Sequence, residues 1–339
     1  MSFAGRTLRE LAARLPPVLV RPLGGPVAVF FHGVEQNIFD PELQENHHAV
    51  EDFYAIITTL KAHFDVAPLS ELGTALRHPQ KHRRTVFLMS DDGYANTLHT
   101  AANVLEGLGL PWTLFVSTHH IDTAEPNPMF VARAFLRHAP DGRYAMPHLA
   151  EPILLNDARQ AVASQVIARF RFLPANLAKD VLDGMHSVLK RDGNDHRLAR
   201  YTSERFLTWD EVRLLAGRGV AIGAHASWHW AMHSGESEQH LKQQAEKPRQ
   251  RIEAEVGRCR YFAYPFGNTR DVGAKAWQAV RDAGYEFAFT TLGGILDARQ
   301  NPWLLPRYGL QPRESHLASL LPLLRLGGRR VARWQRTLA

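Results

Sequence analysis

The sequence is almost without cysteine. Among 339 residues only Cys259 occurs. No disulfide can form within the chain, and a thiolate metal site is excluded, so any metal must be held by His, Asp and Glu. Long apolar runs are missing too. The apolar stretch at 15–20 is short and broken by Pro16 and Pro17, and no small-residue cleavage site follows it. A secretory signal is therefore not expected. No stretch reaches the roughly 20 apolar residues that a membrane-spanning helix needs. Charge of one sign is only slightly in excess: 40 Lys+Arg stand against 34 Asp+Glu, a net charge of +6. That balance suits an anionic substrate or a membrane surface as well as a plain soluble enzyme. RNA-binding and zinc-finger signatures are absent, so nucleic acid is not an expected partner. The expected location is cytoplasmic, with the inner membrane face as a peripheral station.

The composition, 45% hydrophobic and 22% charged, is that of a globular protein with a large core. The length exceeds a usual single domain of ~100–200 residues but fits one α/β barrel. Short β-type runs at 27–31, 85–89, 112–116, 220–223, 261–264 and 287–291 alternate with helical patterns at 50–63, 101–108, 208–218, 239–256 and 272–283. Thr208 with Glu211 forms a capping-box pattern. Pro248 is expected to kink or divide the helix that contains it. Alternation of this kind implies parallel βα units, whose ligands bind at the C-terminal strand ends. Residues 120–205 interrupt the rhythm with helical patterns at 130–138, 158–172 and 177–191 and no clear strand. They read as a helical insertion, with a helix-rich part of the same core as the alternative. The expected organisation is a basic/apolar segment at 1–25, a barrel at 26–312 and a basic amphipathic tail at 313–339. The tail is suited to peripheral membrane contact or to packing on the barrel.

Three strand ends carry unusual chemistry. Phe87-Leu88-Met89-Ser90 runs into Asp91-Asp92-Gly93, two adjacent carboxylates that repel one another more strongly when buried. Either they serve a cation, one ligating while its neighbour handles a proton, or they cap a turn as solvated groups. The segment by itself does not choose. His225-Ala226-Ser227-Trp228-His229 follows a later strand, and a helical turn would aim both imidazoles at one ion. With 18 histidines in the chain, such a pair also arises by chance. Tyr264-Pro265-Phe266-Gly267 ends a third strand and alone reads as a β-turn. His32 ends the first strand and should border the same mouth.

In combination and in this order, the three segments resemble the polysaccharide deacetylases, carbohydrate esterase family 4, over roughly residues 27–310. Phe31-His32-Gly33-Val34 and Leu305-Pro306-Arg307 resemble the branch associated with surface-polysaccharide biosynthesis. The resemblance implies an α/β fold, a distorted (β/α) barrel of about seven parallel strands with a helical insertion. It implies one divalent metal ion held by Asp92, His225 and His229. Zn²⁺ is favoured, with Co²⁺, Ni²⁺, Fe²⁺ or Mn²⁺ as alternatives. Asp91 would be the general base for the attacking water, and the Phe266 N–H a donor to the oxyanion. Pro265 and Gly267 would fix the turn that presents that donor. Arg307 could pair with Asp91. His32 could bind substrate or protonate the departing amine, and Tyr264, Pro265 and Trp228 are expected beside the substrate. The implied reaction is removal of an N-acetyl group from an amino-sugar unit of a surface-glycan precursor. A small-molecule amide or cyclic-imide hydrolase, or an inactive glycan- or lipid-binding barrel, are the alternatives. The chain departs from the family pattern twice. Phe262-Ala263-Tyr264 has no Arg ahead of the Pro-Phe-Gly turn, and His316 does not fit the late Leu-x-His segment. The general acid is thus not assigned.

Overall fold

The computed structural model describes residues 25–157, 159–191, 198–314 and 320. The N-terminal segment and almost all of the basic tail, with the sequence expectations made for them, lie outside the described residues. One parallel sheet organises the chain. Seven strands follow one another in the order β11 (Phe287–Phe289), β10 (Tyr261–Ala263), β9 (Ala221–Ala224), β6 (Thr113–Val116), β5 (Thr85–Ser90), β1 (Val27–Phe31) and β12 (Tyr308–Gly309). An eighth, β4 (Asp65–Ala67), pairs with the first half of β5. The segment 302–310 curls the sheet toward closure. Leu305 bridges to Phe289, and Leu310 N–H donates to the Phe30 carbonyl at 2.8 Å. This is the distorted barrel expected from the sequence.

Period-2 alternation sorts the strand side chains into two layers. Ala28, Phe30, Phe87, Met89, Phe115, Tyr261, Ala263 and Phe289 form one buried cluster inside the barrel. Their neighbours Val27, Val29, Phe31, Val86, Leu88, Leu114, Val116, Phe262 and Tyr264 face the surrounding helices. Gly223 belongs to the tightest part of the interior: a Cβ there would stand 2.6 Å from the Phe115 ring. The helix Val50–His63 buries Phe53, Ile56, Ile57 and Leu60 against the outer layer. Each such side chain contributes about 1.5–3 kcal/mol by leaving water. Thr208 caps the helix Trp209–Gly217 through a complete capping box. The helix Glu238–Val256 runs undivided through buried Pro248, which has no N–H to donate.

A second apolar cluster is made mainly by the helices Pro128–His138, Arg159–Phe170 and Ala175–Arg191, joined by Leu43 and Trp230. The segment 120–205 is not helical throughout. An antiparallel hairpin pairs β7 (Gly142–Tyr144) with β8 (Ile153–Leu155). Its strands are three residues long, too short to show alternation, and Ile153 and Leu155 point into the helical cluster. The remaining small sheet, β2 (Gly33–Glu35) with β3 (His47–Ala49), lies just after the first strand.

Candidate active site

The sheet's parallel order brings the ends of β1, β5, β9 and β10 together at one cavity of 970 Å³. His32, Asp91, Asp92, His225, His229 and Phe266 all line it. Asp92 Oδ1 lies 3.2 Å from His225 Nε2 and 3.0 Å from His229 Nε2. All three residues are buried. Despite these distances Asp92 Oδ1 makes no hydrogen bond, an expensive condition for a buried carboxylate oxygen. Three ligand atoms converge without satisfying one another, which is the arrangement a shared cation resolves. His225 Nδ1 lies 2.8 Å from the Ala263 carbonyl, so it carries the proton and leaves the Nε2 lone pair toward Asp92. Burial would lower the His225 pKa, but Asp91 and Asp92 outweigh it and raise it. The same negative field would be neutralised by a divalent ion. Asp92, His225 and His229 can therefore hold a metal ion, and a His₂Asp set leaves coordination positions open.

Backbone strain is concentrated here. Asp92 (φ 76°), Ala226 (φ 55°), His229 (φ 44°) and Phe266 (φ 60°) all occupy the left-handed region. Each such non-glycine residue costs about 1–3 kcal/mol and persists only where its surroundings enforce it. The enforcing contacts are identifiable. Ser117 N–H donates to the Asp92 carbonyl at 3.2 Å, and Ser117 Oγ donates to the His225 carbonyl at 2.9 Å. Gln244 Oε1 accepts the N–H groups of Ser227 and Trp228 at 3.0 and 3.1 Å. The His225–His229 segment is thus a turn clamped by Gln244, not the helical turn that its spacing suggested. Ser117 follows the strand β6 and was findable as a polar strand end. Gln244 sits mid-helix and carries no sequence signal.

Asp91 continues the inward-facing positions 87 and 89. Arg307 meets it from inside the barrel, Nη1 to Oδ1 and Nη2 to Oδ2, both at 2.7 Å. Arg307 is fully buried, with its guanidinium 4.2 Å above the Phe30 ring and Nε donating to the Thr290 carbonyl at 3.1 Å. Burial alone would raise the Asp91 pKa, but the charge and hydrogen bonds of Arg307, together with the neighbouring His225 and His32, outweigh it and hold the carboxyl below its ordinary value. The guanidinium beside Asp91 is thus supplied by the barrel-closing segment and not by the residues ahead of the Pro-Phe-Gly turn. For Asp92 too, burial pushes the pKa up, and the surrounding imidazoles of His229, His225 and His32 together outweigh it, leaving the group well below the usual range. His32 is lowered, chiefly by burial, against the pull of the two aspartates.

Phe266 lines the cavity, and among the described residues its N–H meets no acceptor. Its carbonyl accepts from Thr291 Oγ1 at 2.6 Å, and Gly267 (φ 62°) completes the turn. Three expected substrate contacts lie elsewhere. Tyr264 shares the outward parity of Phe262, is fully buried, and donates its hydroxyl to the Trp303 carbonyl at 2.9 Å. Pro265 is buried in the turn. Trp228 stacks on Trp230, ring centroids 5.3 Å apart, against the helical cluster. None of the three lines the cavity.

The sequence profile of the polysaccharide deacetylase family matches residues 78–288, more than half of the chain. Solved structures share the fold at low identity. A Streptococcus pyogenes deacetylase, PplD, in complex with acetate is 14% identical with a TM-score of 0.57, over 90% of this chain and all of that one. IcaB from Ammonifex degensii is 13% identical, TM-score 0.54, covering 88% of this chain and 97% of that one. A de-N-acetylase from Aggregatibacter actinomycetemcomitans is 15% identical, TM-score 0.53, covering 89% and 100%. Among curated proteins none matches the sequence.

Proposed function

Since the chain belongs to the polysaccharide deacetylase family, we propose that it is a metal-dependent hydrolase that removes N-acetyl groups from amino-sugar units of a surface-glycan precursor. The observation that carries this reading is the unsatisfied convergence of Asp92 Oδ1 on two imidazole Nε2 atoms, beside an Asp91 held ionised by Arg307. A metal bound by Asp92, His225 and His229 supplies Lewis-acid polarisation and acidifies water. Zn²⁺ suits the donor set best.

The chain's own groups divide the remaining work. Asp91 takes the proton of the attacking water on a carboxylate oxygen. Arg307 keeps that carboxylate charged and aimed. As water adds to the acetyl carbon, the Phe266 N–H donates to the oxyanion. The C–N bond then breaks, acetate leaves, and the proton on Asp91 is available to the departing nitrogen. His32 has its pKa lowered by burial, and a nearby cation would lower it further. Both effects favour the neutral imidazole, and His32 serves as a hydrogen-bonding partner of the substrate.

Acetate release from a panel of N-acetylglucosamine oligosaccharides, small amides and cyclic imides tests the proposal. Release from the sugars, abolished by chelation and restored by a divalent ion, is the expected result. Turnover confined to the small amides or imides would replace this reading, and no turnover with no bound metal would end it.

A further inference from the structure

The same cavity is lined by Arg133, Arg137, Arg171, Arg270 and Arg313. Against them, apart from Asp91 and Asp92, only two lining acids stand, Glu42 and Glu45. Glu45 pairs with Arg133, and Glu42 with Arg137 at 3.3 Å. Arg171 meets Asp271 at 2.8 Å, outside the lining. Arg270 and Arg313 meet no carboxylate among the described residues, and Arg313 donates instead to the Gln44 carbonyl at 3.1 Å.

These guanidiniums are not simply solvated. Arg171 Cζ lies 4.2 Å over the Phe266 ring and 5.6 Å from the Phe172 ring. Arg270 Cζ lies 4.2 Å over Phe172. The Arg171 Nε is buried and without an acceptor among the described residues. Aromatic stacking restrains the planar heads, so less freedom is lost when they bind an anion. Arg171 sits over Phe266, the residue that also presents the free amide, and the Phe172 ring links Arg171 to Arg270. A neutral glycan offers such a set no ionic partner, whereas a phosphoryl group accepts two-pronged N–H pairs from guanidinium.

Building on the deacetylase reading above, we propose that the substrate is a glycosyl phosphate: the N-acetylated sugar carries a phosphoryl group that the cavity arginines, Arg270 and Arg313 foremost, hold beside the reaction centre. The test uses the metal-loaded full chain and compares N-acetylglucosamine 1-phosphate with the methyl glycoside of N-acetylglucosamine, by calorimetric binding and by acetate release. The phosphoryl compound should bind at least about tenfold more tightly at low salt, and the advantage should shrink near about 0.5 M salt. It should vanish in the double variant R270A/R313A and persist in part in R270K/R313K, with thermal melting confirming that both fold. Equal affinities in the wild type, an advantage that survives R270A/R313A, or competition by inorganic phosphate as strong as by the sugar phosphate would each overturn the proposal. The two readings fail separately. A binding preference without acetate release sinks the reaction and keeps the phosphoryl seat. Acetate release with no binding preference keeps the reaction and sinks the seat.

Discussion

On the barrel side of the cavity, the polar groups sit on strand ends and are almost completely buried. Asp91, Asp92 and His225 are each 1% exposed and Arg307 is 0% exposed. On the helical side, Arg133 and Arg137 stand one turn apart on the helix Pro128–His138, and the Arg137 side chain is 44% exposed. The barrel wall stores strain in Asp92, Ala226, His229 and Phe266, and restrains it with hydrogen bonds that Ser117 donates to the Asp92 and His225 carbonyls and that Gln244 Oε1 accepts from the Ser227 and Trp228 N–H groups. The helical wall reaches the cavity through long side chains with surface ion pairs, each worth about 0–1 kcal/mol. The groups that can hold a cation, with Asp91 beside them, are built into the sheet. The arginines of the helical wall are left adjustable.

The sharpest way to break this contrast is Arg307→Met. It leaves Asp91 as a buried carboxylate without its counter-charge, at a cost of about 3–5 kcal/mol. Asp91 then gains protons more readily, and the rate of acetate release at neutral pH should fall by about 100-fold or more. Chemical denaturation and a pH–rate profile shifted to higher pH on its acid limb would show both effects. Retained rate and stability would mean that the pair does not organise the site.

Gln244→Ala comes next. Loss of the oxygen that clamps Ser227 and Trp228 should weaken metal affinity by about 10–100-fold. Gln244→Glu keeps an accepting oxygen and should recover most of it. Equal metal binding in all three proteins would show that the His turn holds itself.

A smaller effect is expected at the seam between the walls. Glu204 is buried beside His47, and burial pushes its pKa up to about 8 from 4.5. The folded state thus keeps a proton there that the unfolded state releases above about 4.5. Stability from this group should decline as pH rises from about 4.5 to 8, and Glu204→Gln should flatten that slope by on the order of 1–3 kcal/mol. Parallel pH–stability curves for the two proteins would contradict it. The least effect is expected from Arg133→Ala, a few-fold rise in KM with kcat nearly constant.

The same contrast governs what could be read from the chain. Asp91-Asp92-Gly93, the His225–His229 spacing and Pro265-Phe266-Gly267 end strands whose apolar runs are plain, so both the sheet and the convergent ligands were legible. The conformation of the His turn was not, because it depends on Gln244 from a distant helix and on left-handed residues that are not glycine. Tyr264 was misplaced because a motif names neighbours but not the strand parity that turns them away from the cavity. The hairpin at Gly142–Tyr144 and Ile153–Leu155 was too short to show a period. The arginine wall was invisible because its members come from helices and loops scattered from 133 to 313, and only Arg133 and Arg137 share a helical spacing.

The most direct measurement is paired metal content and acetate release for the wild type and Asp91→Asn. The geometry predicts about one divalent ion per chain in both proteins, with acetate release lost in the variant. A wild type that binds no ion, or a variant that releases acetate at the wild-type rate, would contradict it.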